Sequence, residues 1–483
     1  MISGNNSPRM FIVSPPPTPN GSLHLGHMSG PYLAADIYKR IQKCKEKTVY
    51  CISTDDNQSY VDKTAERLNV FPTELIKKSK HEILEVLESF SIDINLFGEH
   101  DKEYEDYVTS FFSDLYKSEQ IKIVETEVYY DPITNQYPIE SFISGICKEC
   151  FDECCGGICE TCGFPNNGTD LINYNPSRLI KKNEPRLVID LEEFRREIEK
   201  NLSNISMRPR LKLLVDRILI NRLPKVILSH KLPRGIKLED LGLQGQVLNV
   251  WAEMYPGHLY FLNKASGEMT GEEEYVQFLG FDNSFFYVFL HQALQVAGLR
   301  IKKELPKVSE FYTNQFYNLD SDKFSTSKGH AIWAIDLAQK YNSDAIRFYL
   351  AKFAPEYSEQ RFILEHFLVE GRRFCSLVND ILTSCDQIEN KRTNGKLGDK
   401  LFLSVQEKGQ FSIREIAKDC ELKLKHLQRM IHAGEITKDD VYKTLQNLLY
   451  PIAPKYSYVL KNSCDNKLNN YEHYGFSKLE FEL

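Results

Sequence analysis

Apolar positions along the chain change period several times, and those changes divide it. Met10 to Ser14 is a short continuous apolar run ending in the Pro/Asn/Gly-rich stretch Pro15–Gly21, after which apolar residues recur at helical spacing to about Arg40. This predicts strand, turn, helix. Lys47 to Thr54 reads as a second strand, closed by Asp55 and Asp56, and Asp62 to Phe90 reads as helix. Ile121 to Leu243 interrupts this alternation of strand and helix. Strand character returns at Val247–Trp251, and Gly280-Phe281-Asp282 opens another helix. From Glu365 to about Lys455 the pattern is helical with few strand signals, which predicts an all-α bundle. The fold expected is therefore α/β with an insertion, followed by helices.

Composition narrows this only slightly. The 483 residues give room for two to four domains, and 42% hydrophobic with 26% charged residues is ordinary for a soluble globular protein. No apolar run is long enough to span a membrane and the polar start lacks a signal-peptide pattern, so a cytoplasmic protein is expected. With a net charge of −7, nucleic acid would have to be met by local basic patches. One such patch is Ser206–Lys225, rich in Arg and Lys on an amphipathic helical pattern; a solvated helix face explains it equally well.

Twelve cysteines are present, six of them between Cys147 and Cys162. Cys147-x2-Cys150 and Cys159-x2-Cys162 form two knuckles with the spacing of one tetrahedral Zn²⁺ site of four thiolates, a structural site because no coordination position stays open. Cys154 and Cys155 are surplus and could compete as ligands; a redox pair is the alternative.

Candidate chemistry concentrates at the first turn. A strand feeding a turn and a helix N-terminus gathers anions through unpaired backbone N–H groups and the helix dipole, and His24-Leu25-Gly26-His27 stands there. The string resembles the HIGH signature of class I aminoacyl-tRNA synthetases, with Pro15-Pro16-Pro17 and Asn20-Gly21 before it. Lys323-Phe324-Ser325-Thr326-Ser327, with Lys328-Gly329 after it, resembles the family's KMSKS loop, although Thr326 replaces its second lysine. Val128–Cys147 and the cysteine knuckles resemble the connective insertion of methionyl-tRNA synthetases, and VLNVW and NSDAIRFY resemble further motifs of that branch in the same order.

The resemblance implies a Rossmann-like class I synthetase catalytic domain with a zinc-knuckle connective insertion and a C-terminal all-α bundle. Its parts would be 1–120 and 244–330 as the two catalytic halves, 121–243 as the insertion, 331–365 as a linking stem and 366–483 as the bundle. It implies an enzyme that uses ATP with Mg²⁺ to turn an amino acid, methionine first, into an adenylate and passes it to tRNA. The alternative is a tRNA-independent ligase that hands the adenylate to another nucleophile. His24, His27, Lys323 and Lys328 would be catalytic. Asn20, Gly26, Gly280 and Asp282 would join His24, His27 and Lys323 in holding ATP, and Asp56 would hold the substrate amino group. Pro16, Thr18, Trp251, Tyr255, His258 and Tyr287 would line the amino-acid pocket. Their polar tips leave open a substrate more polar than methionine. The chain's two tryptophans, Trp251 and Trp333, both precede the bundle, so the family's stacking tryptophan for the anticodon has no counterpart there. Phe374, Tyr442 or His426 would have to replace it, with Lys423, Lys425 and Arg429 as phosphate contacts.

Overall fold

The computed structural model describes residues 9–42, 47–172, 179–319, 322–323, 332–388, 403 and 408–464. The chain divides into two compact units, each built from segments distant in sequence. One comprises 1–21, 46–81 and 94–313, the other 22–45, 82–93 and 314–483.

The first unit is built on a five-stranded sheet in the order Lys307–Asn314, Glu274–Gly280, Met10–Val13, Thr48–Ser53, Leu96–Gly98. Met10–Val13 pairs in parallel with both neighbours, and Thr48–Ser53 in parallel with Leu96–Gly98. Every residue of Thr48–Ser53 is buried, as a parallel strand covered on both faces requires. Phe11, Val13, Val49 and Cys51 join side chains of helices Lys102–Lys117 and Val250–Ser266 in one continuous core. Ligands of such sheets collect beyond the carboxyl ends of the strands. That is where the chain runs into Pro15–Gly21, Asp55–Asp56 and Gly280–Asp282.

Two sequence expectations need correction here. The run Asp62–Phe90 is two helices, Ser59–Leu68 and Pro72–Ser89, because Asn69 turns left-handed (φ 54°) and Pro72 starts afresh. The strand expected over Val247–Trp251 stops at Leu248: the Asn249 side chain accepts from Trp251 N–H (2.9 Å) and caps a helix, so Trp251 lies in a first helical turn.

The insertion belongs to this unit. Lys122–Tyr130, Ile180–Asp190 and Lys225–Ile227 make an antiparallel sheet. Two small ribbons, Ser144–Ile146 with Glu153–Cys155 and Gly157–Ile158 with Pro165–Asn166, carry the cysteines. The basic stretch forms helix Pro209–Ile220, which buries Leu211, Leu214, Val215 and Ile218. Its cations are largely engaged: Arg210 lies over the Phe281 ring, Arg217 over Phe164, and Lys212 pairs with Asp216.

In the second unit the chain after Ser22 runs as a short helix Leu25–His27, a π-helical turn Met28–Tyr32 and helix Leu33–Ile41. The bundle comprises Leu364–Asp386, Ile413–Ala433, Lys438–Leu449 and Pro454–Cys464, as the periodicity predicts. A buried ion cluster ties the early helix to the late ones. The Arg347 guanidinium, fully buried, donates to Asp36 (2.6 Å) and to the carbonyls of Phe90, Pro451 and Ile452, while Arg40 donates to both Asp36 oxygens (3.0 and 2.9 Å). Asp344 accepts from the N–H of Tyr456 (2.8 Å), capping the last helix. Phe374, one replacement considered for the anticodon tryptophan, is buried and stacked on Phe348 at 4.2 Å, so it is core. Tyr442 is also buried, its hydroxyl donating to Asp386. His426 and Arg429 are exposed, whereas Lys423 and Lys425 pair with Asp419 and Glu421.

Candidate active site

Candidate residues fall in both units. In the first, Asp55 N–H donates to the Pro17 carbonyl (3.0 Å), which fastens the proline turn to the acid pair. Around Asp55 is a narrow cavity of about 240 Å³, lined by Pro16, Val250, Met254 and Gly257 on its apolar side and by Asp55, His100, Tyr104, Glu253 and His258 on its polar side. Gly257 is needed here, since a Cβ would sit 2.8 Å from the Tyr104 hydroxyl.

The acids of this cavity are met by neutral donors. Glu253, 1% exposed, accepts from Asn57 Nδ2 (3.0 and 2.9 Å) and Tyr104 O–H (2.9 Å); burial pushes its pKa up to about 7. Asp55 accepts from Gln58 Nε2 (3.3 Å), and burial, with the nearby Glu253 and Glu140, raises it well above the usual carboxylate range. Asp56 is differently placed: Thr54 O–H (2.6 Å) and Lys80 (2.8 Å) hold its carboxylate, and Arg234 donates to its carbonyl. The acid that lines the cavity is thus the first of the pair.

Of the other residues expected at the amino-acid pocket, Pro16 and His258 line this cavity. Tyr287 is buried behind it, its hydroxyl 3.0 Å from His258 Nε2, and burial beside His291 lowers His258 to about 3, so the two polar tips satisfy one another as neutral groups. Tyr255 is 1% exposed and packs edge-on against Phe111. Trp251 faces a larger cavity, about 890 Å³, between the insertion and its own helix. Thr18 is half-buried in the proline turn, its carbonyl accepting from Asn20 N–H (2.9 Å). Asp282 lies over Gly280, where a Cβ would collide with its Oδ1; it accepts from Asn283 Nδ2.

In the second unit the imidazoles of His24 and His27 stack at 3.8 Å. Burial lowers both, His27 to about 4, with the neighbouring ring adding to the effect on His24, so both are neutral at pH 7. His27 Nδ1 accepts from the His24 N–H (3.3 Å), which leaves the His27 proton on Nε2 as a donor. Gly26, between them, is half-buried and its carbonyl accepts from the Ser29 hydroxyl (3.2 Å). Leu25 N–H donates to the carbonyl of Ile332, and Ala334 N–H to that of Leu23. The segment just after the second signature therefore runs against the first. Lys323 ends the strand Asp322–Lys323, which pairs with Tyr317–Leu319; its side chain, and the whole of Lys328, lie outside the described residues.

The four cysteine sulfurs converge within 4.8 Å of one another, with Cys147 and Cys162 at 3.7 Å and Cys150 and Cys159 at 3.6 Å. A tetrahedron with Zn–S bonds of about 2.3 Å has edges of about 3.8 Å, so the donor set fits zinc. The knuckles match: Cys147 and Cys159 carbonyls accept from Phe151 and Gly163, both at positive φ (64° and 77°). Cys154 and Cys155 lie on a ribbon strand outside the set.

Sequence reasoning singled out Asp56 of the acid pair rather than Asp55, and missed Glu253, Tyr104 and His100. Glu253 had a signal, a single charge inside the apolar run from Val250 to Leu262; Tyr104 and His100 belong to no motif. The family model for tRNA synthetases class I (M) matches residues 10–381. A methionine–tRNA ligase of Methanobrevibacter smithii is 26% identical over 95% of this chain and 74% of its own length, and one of Bacteroides fragilis 27% identical over 75% and 55%. The chain thus spans between about half and three quarters of these curated relatives. Its fold is similar to that of Mycobacterium tuberculosis methionyl-tRNA synthetase in complex with methionyl-adenylate, with TM-score 0.72, 14% identity and 94% of each chain covered.

Proposed function

Because the chain belongs to the class I tRNA synthetases of the (M) type, we propose that it activates methionine with ATP and transfers it to tRNA in the cytoplasm. The methionine carboxylate attacks the α-phosphate, the bond to the β-phosphate oxygen breaks, and pyrophosphate leaves. A terminal hydroxyl of tRNA then attacks the adenylate carbonyl and AMP departs. The observation that carries the reading is the cavity beside Asp55, where carboxyls have neutral partners and polar tips are spent on each other. An α-ammonium supplies the missing cation there, and the apolar wall of Pro16, Val250 and Met254 receives a thioether. The ammonium is assigned to Asp55, which lines the cavity, rather than to Asp56, which Thr54 and Lys80 hold.

His27 Nε2–H, and His24 beside it, donate to phosphate oxygens as charge develops; fixed neutral donors of this kind stabilise a transition state without reorganising. Lys323 and Lys328 are assigned to the triphosphate. Asn20, Gly26, Gly280 and Asp282 are assigned to adenosine. Mg²⁺, held mainly by the ATP phosphates, would supply neutralisation of phosphate charge there. Zinc held by Cys147, Cys150, Cys159 and Cys162 contributes folding energy to the insertion, which spans 121–243 between the catalytic halves. The relatives named above are tRNA ligases, which favours tRNA as acceptor over a tRNA-independent ligase. Amino-acid-dependent exchange of labelled pyrophosphate into ATP tests the first step: methionine alone should drive it. Exchange with another amino acid, or none, would overturn the reading.

A further inference from the structure

Glu140 lies in the insertion, seven residues before the first cysteine ligand, on a backbone at φ 41° that non-glycine residues rarely adopt. It is buried, and its two carboxylate oxygens face different parts of the unit. Oε1 accepts from the indole Nε1–H of Trp251 (3.0 Å), and Oε2 accepts from the Ser59 hydroxyl (3.0 Å). Ser59 is in turn bonded to Gln58, which donates to Asp55 in the narrow cavity. On the backbone side the Glu140 carbonyl accepts from Gly156 N–H (3.3 Å), in the loop between the knuckles. A Cβ on Gly156 would come 3.0 Å from Glu140 N, so glycine is what lets the loop approach this closely. One residue thus connects the cysteine loop, the acid of the narrow cavity and the tryptophan that stacks on Phe286 at 4.2 Å.

We propose that Glu140 is a positioning residue through which the metal knuckle sets the orientation of Trp251 and the Asp55 loop, and so the affinity for the amino acid. This rests on the methionine-activation reading, but its first test does not. In a Trp333→Phe background Trp251 is the sole tryptophan, and its emission reports the indole's surroundings. Removing zinc with a chelator should shift that emission in the parent protein. Glu140→Ala should start from the shifted spectrum and respond no further, whereas Glu140→Gln, which keeps an oxygen acceptor, should behave like the parent. With Trp333 intact, Glu140→Ala should raise KM for methionine about tenfold, the loss of about one hydrogen bond. Its kcat and KM for ATP should stay within about twofold, because uniform binding alone is removed. Glu140→Gln should restore most of the loss. An emission that responds to chelation equally with and without the carboxylate, that does not respond in the parent, or a Glu140→Gln no better than Glu140→Ala, would overturn the proposal. If the parent shows no methionine-dependent exchange, the functional reading falls, and the fluorescence series still decides the role of Glu140.

Discussion

Buried carboxylates at two places in the molecule are answered in opposite ways. Asp36 in the second unit meets two guanidiniums, Arg347 and Arg40, and although burial opposes its charge their attraction holds its pKa below the ordinary carboxylate value. Asp55, Glu253 and Glu140 in the first unit meet amide, phenol, hydroxyl and indole donors, and burial raises all three. A charge cluster closed by cations within the chain is scaffold. Neutral donors alone do not mark a site, since Asp344 in the second unit is also raised by burial and caps a helix through backbone N–H groups. What sets Asp55 and Glu253 apart is that their neutral donors stand around a cavity, which leaves room for a cation that comes and goes.

The comparison can be broken at its strongest point first. Arg347→Ala leaves Asp36 with Arg40 as its one guanidinium and the three carbonyls of Phe90, Pro451 and Ile452 without their donor, and should cost about 3–5 kcal/mol, read as a lowered midpoint in urea unfolding. A cost under about 1 kcal/mol would mean the cluster is not scaffold.

Glu253 tests the other side. Its native pKa of about 7, against an ordinary 4.5, means the folded protein holds this proton where the unfolded chain has released it. Stability should therefore fall as pH rises from about 4.5 to 7, by roughly 3 kcal/mol from this group. Glu253→Gln should flatten that part of the stability–pH curve; an unchanged slope would show that the carboxyl is not held protonated.

His27→Ala extends the comparison to neutral donors of the second unit. Exchange should fall by about 10²-fold, the usual loss for one transition-state donor, with the melting temperature unchanged. Smallest is Asp55→Asn, expected to raise KM for the amino acid about tenfold while Asp56→Asn does less. The reverse order would return the ammonium to Asp56, where sequence reading put it.

The sequence read correctly where local physics suffices. The apolar run, the proline turn and the histidine helix make strand, turn and helix in the expected order, and the paired CxxC spacing brings four sulfurs to zinc-like distances. It was least legible where distant segments meet. Asp55 and Asp56 are indistinguishable as letters; Lys80, 24 residues on, engages one and leaves the other to the cavity. Glu140 and Trp251 are 111 residues apart, and no period relates them. Trp251 read as strand because β-propensity describes fit to a half-buried surface, and the Asn249 cap overrode it.

Asp36 and Arg347 are separated by 311 positions. A ribosome adding about 5–20 residues per second takes roughly 15–60 s to cover that interval. For that time helix Leu33–Ile41 has been synthesised with Arg40 beside its aspartate, but Arg347 has not. The aspartate must wait with one of its two guanidiniums, and the apolar face of its helix waits with it. Final closure of the second unit is thus a late event in the life of the nascent chain, and the period before it is when a chaperone has most to protect.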